Sequence, residues 1–265
     1  MFAQVLDVTE RRAAEERGER VRRLYAALAA TVELAQKAQT RAEMFEGACR
    51  VLVDAAGLRL ASVAVVDETT GDASVTVVAT PPNRVGDDLA DLTAAHLPLD
   101  PADPRAGTPA ARALAQGVAA WSGDFETDPA MAPLREQARR AQLRSAAAVP
   151  LRVDGRVVGV LATFAATPGF FDQAVLTLVE RVGAAISRGW EALESAARRQ
   201  AAEDELRARI AQQSTVVHLG EEALVVDDVG DLMRSAVDAV ARTLGVQLAE
   251  VRLTGAPGSG CGGTA

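Results

Sequence analysis

Side chains able to carry out covalent or metal chemistry are scarce in this chain. Its 265 residues include two histidines, His96 and His218, and two cysteines, Cys49 and Cys261. No two of these lie close in sequence, and they are accompanied by no Ser/His/Asp set, paired acid, metal-ligand spacing or Walker-type phosphate loop. The stretch GSGCGG near the C-terminus has no lysine and no following helix, so it is typical of a linker. We therefore expect no catalytic residue, no metal site and no cofactor, and we expect that the chain is not an enzyme.

Composition and charge exclude further classes of function. Hydrophobic residues make up 49% and charged residues 24%, as in ordinary globular domains. The net charge is -8, Lys37 is the only lysine, and most arginines stand beside glutamates on predicted helix faces, which argues against nucleic-acid binding. No apolar run reaches the roughly 18 residues of a membrane span, and there is no signal-peptide layout or disulfide framework. A cytoplasmic protein with no nucleic-acid or membrane partner is expected.

The elements that must position any site begin with a long helix, from Thr9 to about Gln39. Apolar or small residues recur along it at alternating spacings of three and four, with Arg17 as the one charged intrusion. The residues of this seam are Ala14, Val21, Leu24, Leu28, Thr31, Ala35 and Ala38. Such a seam serves a dimeric coiled coil or a helix packed on its own domain. Glu and Arg at the flanking positions lead us to prefer the coiled coil, and hence a homodimer.

An α+β domain with a central antiparallel sheet of about six strands follows this helix. Asp154-Gly155 predicts a hairpin, because a type I′ turn needs positive φ at both central positions. Residues 89–97 hold a further short helix or strand, and a very long helix begins after Asp172 and runs to about Gln213. The other predicted helices are 40–57, 108–117 and 128–143. The predicted strands are 60–67, 73–80, 118–121, 145–153 and 156–165.

Both ends of the chain indicate further modules. Residues 2–6 have the pattern of a β-strand, and the sequence DVTER then leads into the first helix. Near the other end, LMRSAVDAVARTLGVQLAEVRL repeats the spacing of MFEGACRVLVDAAGLRLASVAVV, so that Gly245 matches Gly57 and Leu248 matches Leu60. The sequence therefore predicts a second copy of the same helix–Gly–strand unit, followed by a poorly ordered tail.

The central part of the chain resembles GAF sensor domains. RSAAAVPLRVDGRVVGVLATFAATPGFFDQAVLTLVERVGAAIS is similar to their C-terminal half, and GTPAARALAQGVAAWSGDFETDPAMAPLREQARRAQLRS to their middle. FAQVLDVTERRAAEE looks like the closing strand of a PAS domain and its junction. The resemblance implies a GAF/PAS-like sheet with helices on its faces, flanked by long helices. It also implies the order PAS–GAF–GAF that is typical of bacterial signalling proteins.

These resemblances divide the chain into five parts. Residues 1–16 would be a PAS remnant and junction, and 17–39 a linker or coiled-coil helix. Residues 40–193 would be the GAF domain and 194–213 a connecting helix. Residues 214–265 would be the truncated start of a second GAF domain with a disordered tail.

The ligand chemistries of the family find few matching residues here. The Asn-Lys-Phe-Asp-Glu set of cyclic-nucleotide-binding GAF domains is absent. Cys49 has no adjacent His to suit a bilin, and one buried cysteine cannot both attack and resolve, as reductases of methionine sulfoxide require. His96, in the loop that would cover the pocket, is a weak candidate for a haem ligand.

A small-molecule pocket between sheet and lid is what the resemblance leaves open. Strand alternation directs the three valines of the candidate set to the inner face of the sheet, with the register uncertain by one residue. An aromatic ring, a carboxylate and an apolar floor would suit a small amphipathic ligand. Trp121 and Phe125 would instead fill the core under a second interpretation, which we prefer in a chain with 3% aromatic residues. The candidate pocket residues are Val63, Val65, Trp121, Asp124, Phe125 and Val149.

The resemblance and the long flanking helices together favour one function. We expect a non-catalytic sensor or relay module of a bacterial signalling protein, which dimerises and passes signals through its flanking helices. The alternative is a GAF receptor whose pocket is occupied by a small molecule.

Overall fold

A computed structural model describes residues 2–67, 73–81, 97, 100–225, 230, 233, 234 and 237. By its internal contacts the chain divides into two units, Met1–Ser195 and Ala196–Ala265. The helices are α1 (Phe2–Lys37), α2 (Arg41–Asp54), α3 (Pro109–Gln116), α4 (Arg135–Arg140) and α5 (Gln173–Val225), with 3₁₀ turns at Pro104–Gly107 and Pro129–Leu134. The strands are β1 (Leu60–Val66), β2 (Ala73–Ala79), β3 (Ala120–Ser122), β4 (Ser145–Val153) and β5 (Arg156–Ala165).

The five strands form one antiparallel sheet in the order β2-β1-β5-β4-β3. This confirms the α+β class and the central antiparallel sheet. The expected count of about six strands is one too many for the described residues. Leu97, at the end of the segment left open between helix and strand, makes only an isolated bridge to Ala73.

Local signals of helix and turn formation act as predicted. Asp154 and Gly155 have φ of 50° and 78°, so the β4–β5 hairpin has positive φ at both central positions. At the start of α2, the Thr40 hydroxyl accepts a hydrogen bond from the Glu43 N–H at 3.2 Å. The Glu43 carboxylate in turn accepts one from the Gln39 N–H at 2.9 Å, so the box closes at Gln39, one residue before the predicted Thr40 N–H.

One face of the sheet packs against the long helices and forms the main core. We call it the helix-packed face. The helices contribute side chains such as Leu24 of α1, Leu52 of α2 and Ile186 of α5, each 0% exposed. Because side chains alternate along a strand, these sheet residues are spaced two apart. The helix-packed face consists of Ala61, Val63, Ala147, Val149, Leu151 and Leu161.

The seam of α1 packs on its own domain. Leu24 and Thr31 are 0% exposed and Ala38 is 7% exposed within a single chain, and the Thr31 hydroxyl donates to the Ala27 carbonyl at 2.8 Å. These three positions are covered by the chain's own domain, as the intradomain alternative expects, whereas Ala14 of the same seam is exposed. The dimeric coiled coil stays a prediction. An apolar row specifies that a helix face is covered, but it does not specify by which partner.

The strand predicted at residues 2–6 is also wrong, because α1 already includes these residues. A strand must hydrogen-bond to a neighbouring strand, and no strand within the described residues pairs with this segment. Ala, Glu and Arg dominate residues 10–20 and are strong helix formers, so the helix extends toward the N-terminus. The interpretation of residues 1–16 as a PAS remnant stays a prediction.

Two further predictions meet the limits of the described residues. The second copy, beginning near Leu232, lies almost wholly outside them, as does His96. The long C-terminal helix is longer than predicted, since α5 has 53 residues and ends at Val225. Within the described part of the chain, no helix combines the length and apolarity that crossing a membrane requires.

Candidate functional site

A cavity of about 60 Å³ lies on the side of the sheet opposite the long helices. We call that side the cavity face. The sheet residues that line the cavity on this face are Ser62, Ala64, Val75, Ala146, Ala148, Val160, Ala162 and Phe164, and Ala147, between Ala146 and Ala148, also borders it. Thr108, Pro109 and Ala110, from the start of α3, close it from above, together with Met131 and Leu134 of the second 3₁₀ turn.

The cavity exists because alanines occupy most of this face. β4 begins Ser145-Ala146-Ala147-Ala148, and alternation turns Ala146 and Ala148 to the cavity. Ala162 of β5, which pairs with Ala148, is equally small, and so is Ala64 of β1, which pairs with Val160 of β5. Side chains that end at Cβ leave space that the covering elements do not fill.

The covering elements are short and are held by local caps. Asp103 and Asp128 each accept a hydrogen bond from the N–H two residues on, at 2.8 and 2.9 Å, which starts the two 3₁₀ turns. Asp103 also binds the Arg105 guanidinium, which lowers the pKa of the Asp103 carboxyl. α3 ends at Gly117, whose φ of 67° is left-handed. These short elements cover the cavity without the continuous packing that the long helices provide.

Two polar side chains face this otherwise apolar space. Ser62 is 7% exposed and Thr108 is 4% exposed, and both line the cavity. Thr108 precedes α3 at the capping position, but its side chain makes no capping hydrogen bond. No charged residue is among the described residues that line the cavity. The described part of the site therefore offers two hydroxyls and an apolar surface, without an ionic partner among those residues.

The predicted pocket valines lie on the wrong side of the sheet. Val63 and Val149 belong to the helix-packed face, and Val65 packs against the same core. The assignment of faces was displaced by one residue, and in a strand such a displacement moves every side chain to the opposite face. An added Cβ on Gly183 of α5 would lie 2.6 Å from Cγ2 of Val149, which shows how closely this face is packed.

The other three predicted residues surround the cavity without lining it. Trp121 is 46% exposed, so it neither fills the core nor lines the cavity. Phe125 is 1% exposed and fills the core as the preferred interpretation expected, with its ring 6.5 Å from that of Phe164, edge to face. Asp124 accepts hydrogen bonds from Arg144 Nη2 at 3.0 Å on both carboxylate oxygens, so it holds a loop.

The residues that do line the cavity had a visible signal in the sequence. A strand that reads Ser-Ala-Ala-Ala presents only small side chains, so it leaves space beside it wherever the elements that cover it do not approach closely. Thr108-Pro109 is typical of the start of a helix, and a capping side chain is usually bonded to its own helix, so the pair gives no signal of a pocket. Ser62 gave no signal of its own.

Cys49 lies away from the cavity. It is 0% exposed on α2, in the core of the helix-packed side, and burial raises the pKa of its thiol to about 12. A thiol that stays protonated is a poor nucleophile. Within the described residues, no three His, Cys, Asp or Glu side chains are grouped so that they could hold a metal ion.

The two long helices meet on the helix-packed side. An added Cβ on Gly189 of α5 would lie 2.9 Å from Cβ and 3.1 Å from the carbonyl oxygen of Ala35 of α1. Arg20 of α1 also donates to the Phe170 carbonyl at 3.2 Å, just before α5 begins. α1 and the first part of α5 are therefore in direct contact with each other and with the sheet.

Comparison with known proteins adds the family. The sequence model of the GAF domain matches residues 38–191. A structure of free methionine-R-sulfoxide reductase from Neisseria meningitidis, in complex with its substrate, is similar over 65% of this chain and 91% of that one, with 18% identity and a TM-score of 0.52. At that identity the likeness concerns the fold alone.

Two GAF domains of other proteins are also similar. The A. aeolicus nlh2 GAF domain in an inactive state has 14% identity and a TM-score of 0.48, over 64% of this chain and 96% of that one. The GAF domain of an Acinetobacter phosphoenolpyruvate-protein phosphotransferase has 16% identity and a TM-score of 0.44, over 62% and 90%. No curated protein matches the sequence.

Proposed function

This chain belongs to the GAF domain family, and from that premise we propose that it is a non-catalytic regulatory module that relays a signal between the helix entering the domain and the helix leaving it. One observation carries the proposal. α1 and α5 contact each other at Ala35 and Gly189, and both pack on the sheet whose other face lines the cavity.

Only the sheet separates the cavity from the long helices. Ala148 of β4 lines the cavity, while the next residue, Val149, is in contact with α5 at Gly183. A displacement of β4 by an occupant would therefore change the packing of α5, and through Gly189 that of α1. Close-packed contacts of this kind transmit displacement because they cannot absorb it by compression.

The experiment tests the contact between α1 and α5. In Gly189→Ala the new methyl group would lie 2.6 Å from Met44 Sδ of α2, and 2.9 and 3.1 Å from Cβ and the carbonyl oxygen of Ala35 of α1. The Met44 side chain can move aside, but relief of the Ala35 contacts requires α1 and α5 to separate. We expect amide hydrogen exchange in residues 24–37 of α1 to accelerate at least about tenfold, while the β4–β5 ladder is unchanged. Gly18→Ala is the matched control, since nothing lies within 4 Å of its added Cβ. Unchanged exchange in α1 of Gly189→Ala would remove the relay.

The absence of catalysis is part of the proposal. The reductase from Neisseria shares the fold, but the one described cysteine here, Cys49, is buried away from the cavity. A reductase needs a thiolate that reaches its substrate and a second thiol that resolves the intermediate. We expect the purified chain, supplied with a thiol reductant, to leave free methionine-R-sulfoxide unreduced. Turnover that disappears in Cys49→Ala would contradict this.

Dimerisation through the flanking helices remains a proposal, now on a different surface. The outer side of the α1–α5 contact is a groove lined by the half-buried Val32, the buried Ala185 and the exposed Ala192, with Gln36 and Arg188 beside them. Tyr25 on α1 is 52% exposed and adds apolar surface. Light scattering across a concentration series tests the dimer. A monomer at every concentration would contradict it, and Ala192→Arg should shift a dimer toward monomer.

A second function, that of a small-molecule receptor, is favoured by the cavity itself. Its walls are apolar, two hydroxyls face it, and only the sheet lies between it and the long helices. Enclosed apolar spaces with a few polar groups are typical of ligand sites. In this case the relay would respond to an occupant.

A further inference from the structure

We propose that the cavity takes a small neutral organic molecule of about four or five non-hydrogen atoms, with an apolar body and one hydroxyl or carbonyl end that hydrogen-bonds to Ser62 and Thr108. The proposal rests on the receptor function, for which it names the class of ligand. Three properties of the cavity lead to it: its polar groups, its charge and its volume.

The two hydroxyls are the first property. Within the described part of the chain, the side chains of Ser62 and Thr108 form no hydrogen bond, and their oxygens stay accessible from the cavity although both residues are more than nine-tenths buried. Other buried hydroxyls are satisfied: those of Thr31, Thr163 and Ser145 donate to backbone carbonyls at 2.8, 2.9 and 2.7 Å.

Among the described residues, one further buried hydroxyl lacks a hydrogen-bond partner. It is Ser122 Oγ, and Ser122 pairs with Ala146, so it lies on the same side of the sheet. A buried hydroxyl without a partner is unfavourable, so the two that face the cavity are expected to bind the polar end of an occupant.

The absence of charge is the second property. Every side chain that lines the cavity among the described residues is uncharged, and most are alanine, valine, leucine or methionine. A carboxylate or ammonium group would lose its hydration there and gain no opposite charge. A neutral ligand loses much less on entering, since two hydroxyls replace the water around a single polar group.

The volume is the third property. A cavity needs roughly 10–15 Å³ on this measure for each water, so about 60 Å³ accommodates four or five waters or a similar number of ligand atoms. An engineered cavity of about 150 Å³ is needed for benzene, which has six carbons. A nucleotide, bilin or haem is far too large for this space.

The experiment uses three small probes of similar size on the full chain: butanone, propionate and n-propylammonium. At about -1.5 kcal/mol per non-hydrogen atom, five atoms give a Kd no tighter than about 3 μM, and the titrations extend to about 20 mM to reach much weaker binding. The readout is the chemical shift of alanine methyl groups in ¹³C-labelled protein. We expect Ala64, Ala148 and Ala162 to shift with butanone, at a Kd at least about tenfold lower than for either ion.

Variants test the contacts. Thr108→Val keeps the shape of the side chain and replaces the hydroxyl by a methyl group, and Ser62→Ala removes the hydroxyl at the other position by deleting its oxygen. Each should weaken butanone binding by about tenfold. Ala162→Val fills the cavity and should abolish binding. Methyl shifts that survive Ala162→Val would mean that butanone binds elsewhere, and this would overturn the proposal.

The outcomes separate the ligand class from the receptor function. Binding of propionate or n-propylammonium as tight as that of butanone would overturn the neutral class and leave the receptor standing. If no probe shifts the cavity methyls, both the ligand class and the receptor are overturned. The relay does not depend on either result, because exchange in Gly189→Ala tests it without a ligand.

Discussion

The two faces of one sheet differ in how they are filled. On the helix-packed face, Val63, Val149 and Leu161 interlock with α1, α2 and α5. On the cavity face, Ala64, Ala148 and Ala162 leave an unfilled space beneath α3 and a 3₁₀ turn. Both sets of residues come from the same three strands, and the alternation of side chains separates them.

The difference shows how stability and binding are divided within a small domain. Long helices present continuous rows of side chains, so they pack densely and form most of the core. The short elements that cover the other face do not fill the space beside its alanines. We infer that the first face holds the domain together and connects the flanking helices, while the second retains space for an occupant.

The prediction with the largest expected effect removes a leucine side chain from each side of the sheet. Leu161→Ala, at 0% exposure on the helix-packed face, should lower the free energy of unfolding by about 3–5 kcal/mol. Leu114→Ala, on α3 and 7% exposed, should lower it by about 2–3 kcal/mol, since its surroundings are less densely packed. Urea unfolding of both variants measures the difference. Equal losses would mean that the two sides are packed alike.

A smaller test adds atoms at two adjacent residues. Ala147 belongs to the helix-packed face and Ala148 to the cavity face. Ala147→Val should destabilise the domain by about 1–3 kcal/mol, because its two extra methyl groups have no room. Ala148→Val should stay within about 1 kcal/mol of the unmodified chain, because it grows into the cavity. Thermal unfolding compares the pair, and the opposite order would reverse the assignment of the faces.

The smallest effect concerns Cys49, which reports on how well the helix-packed side excludes water. Its pKa is raised by burial from 9.0 to about 12, so the unfolded chain loses this proton first. Stability from the protonated thiol is present below pH 9 and is lost as the pH rises toward 12. In Cys261→Ser, Cys49 should react with a thiol reagent at pH 8 only as the domain opens. Rapid reaction without denaturant would show that water enters this side.

Local elements were largely predictable from sequence. Signals that act within a few residues placed these elements correctly. They are strands β4 and β5, the Asp154-Gly155 turn and the capping box of Thr40 and Glu43. The candidate site was not predictable from sequence in this way, since none of its six predicted residues lines the cavity. Its valines were placed one residue out of phase, and the orientation of a strand depends on distant partners that a local pattern does not identify.

The sequence by itself determined the GAF family, the α+β class and the scarcity of catalytic groups, because these depend on residue types and short motifs. Only the tertiary structure decided that Leu24 of the α1 seam is covered by its own domain. It also decided that Ser62 and Thr108 face the same cavity, although 46 positions separate them in sequence. The physical reason is that burial depends on which surfaces meet in the folded chain, and an apolar or small residue fits many partners equally well.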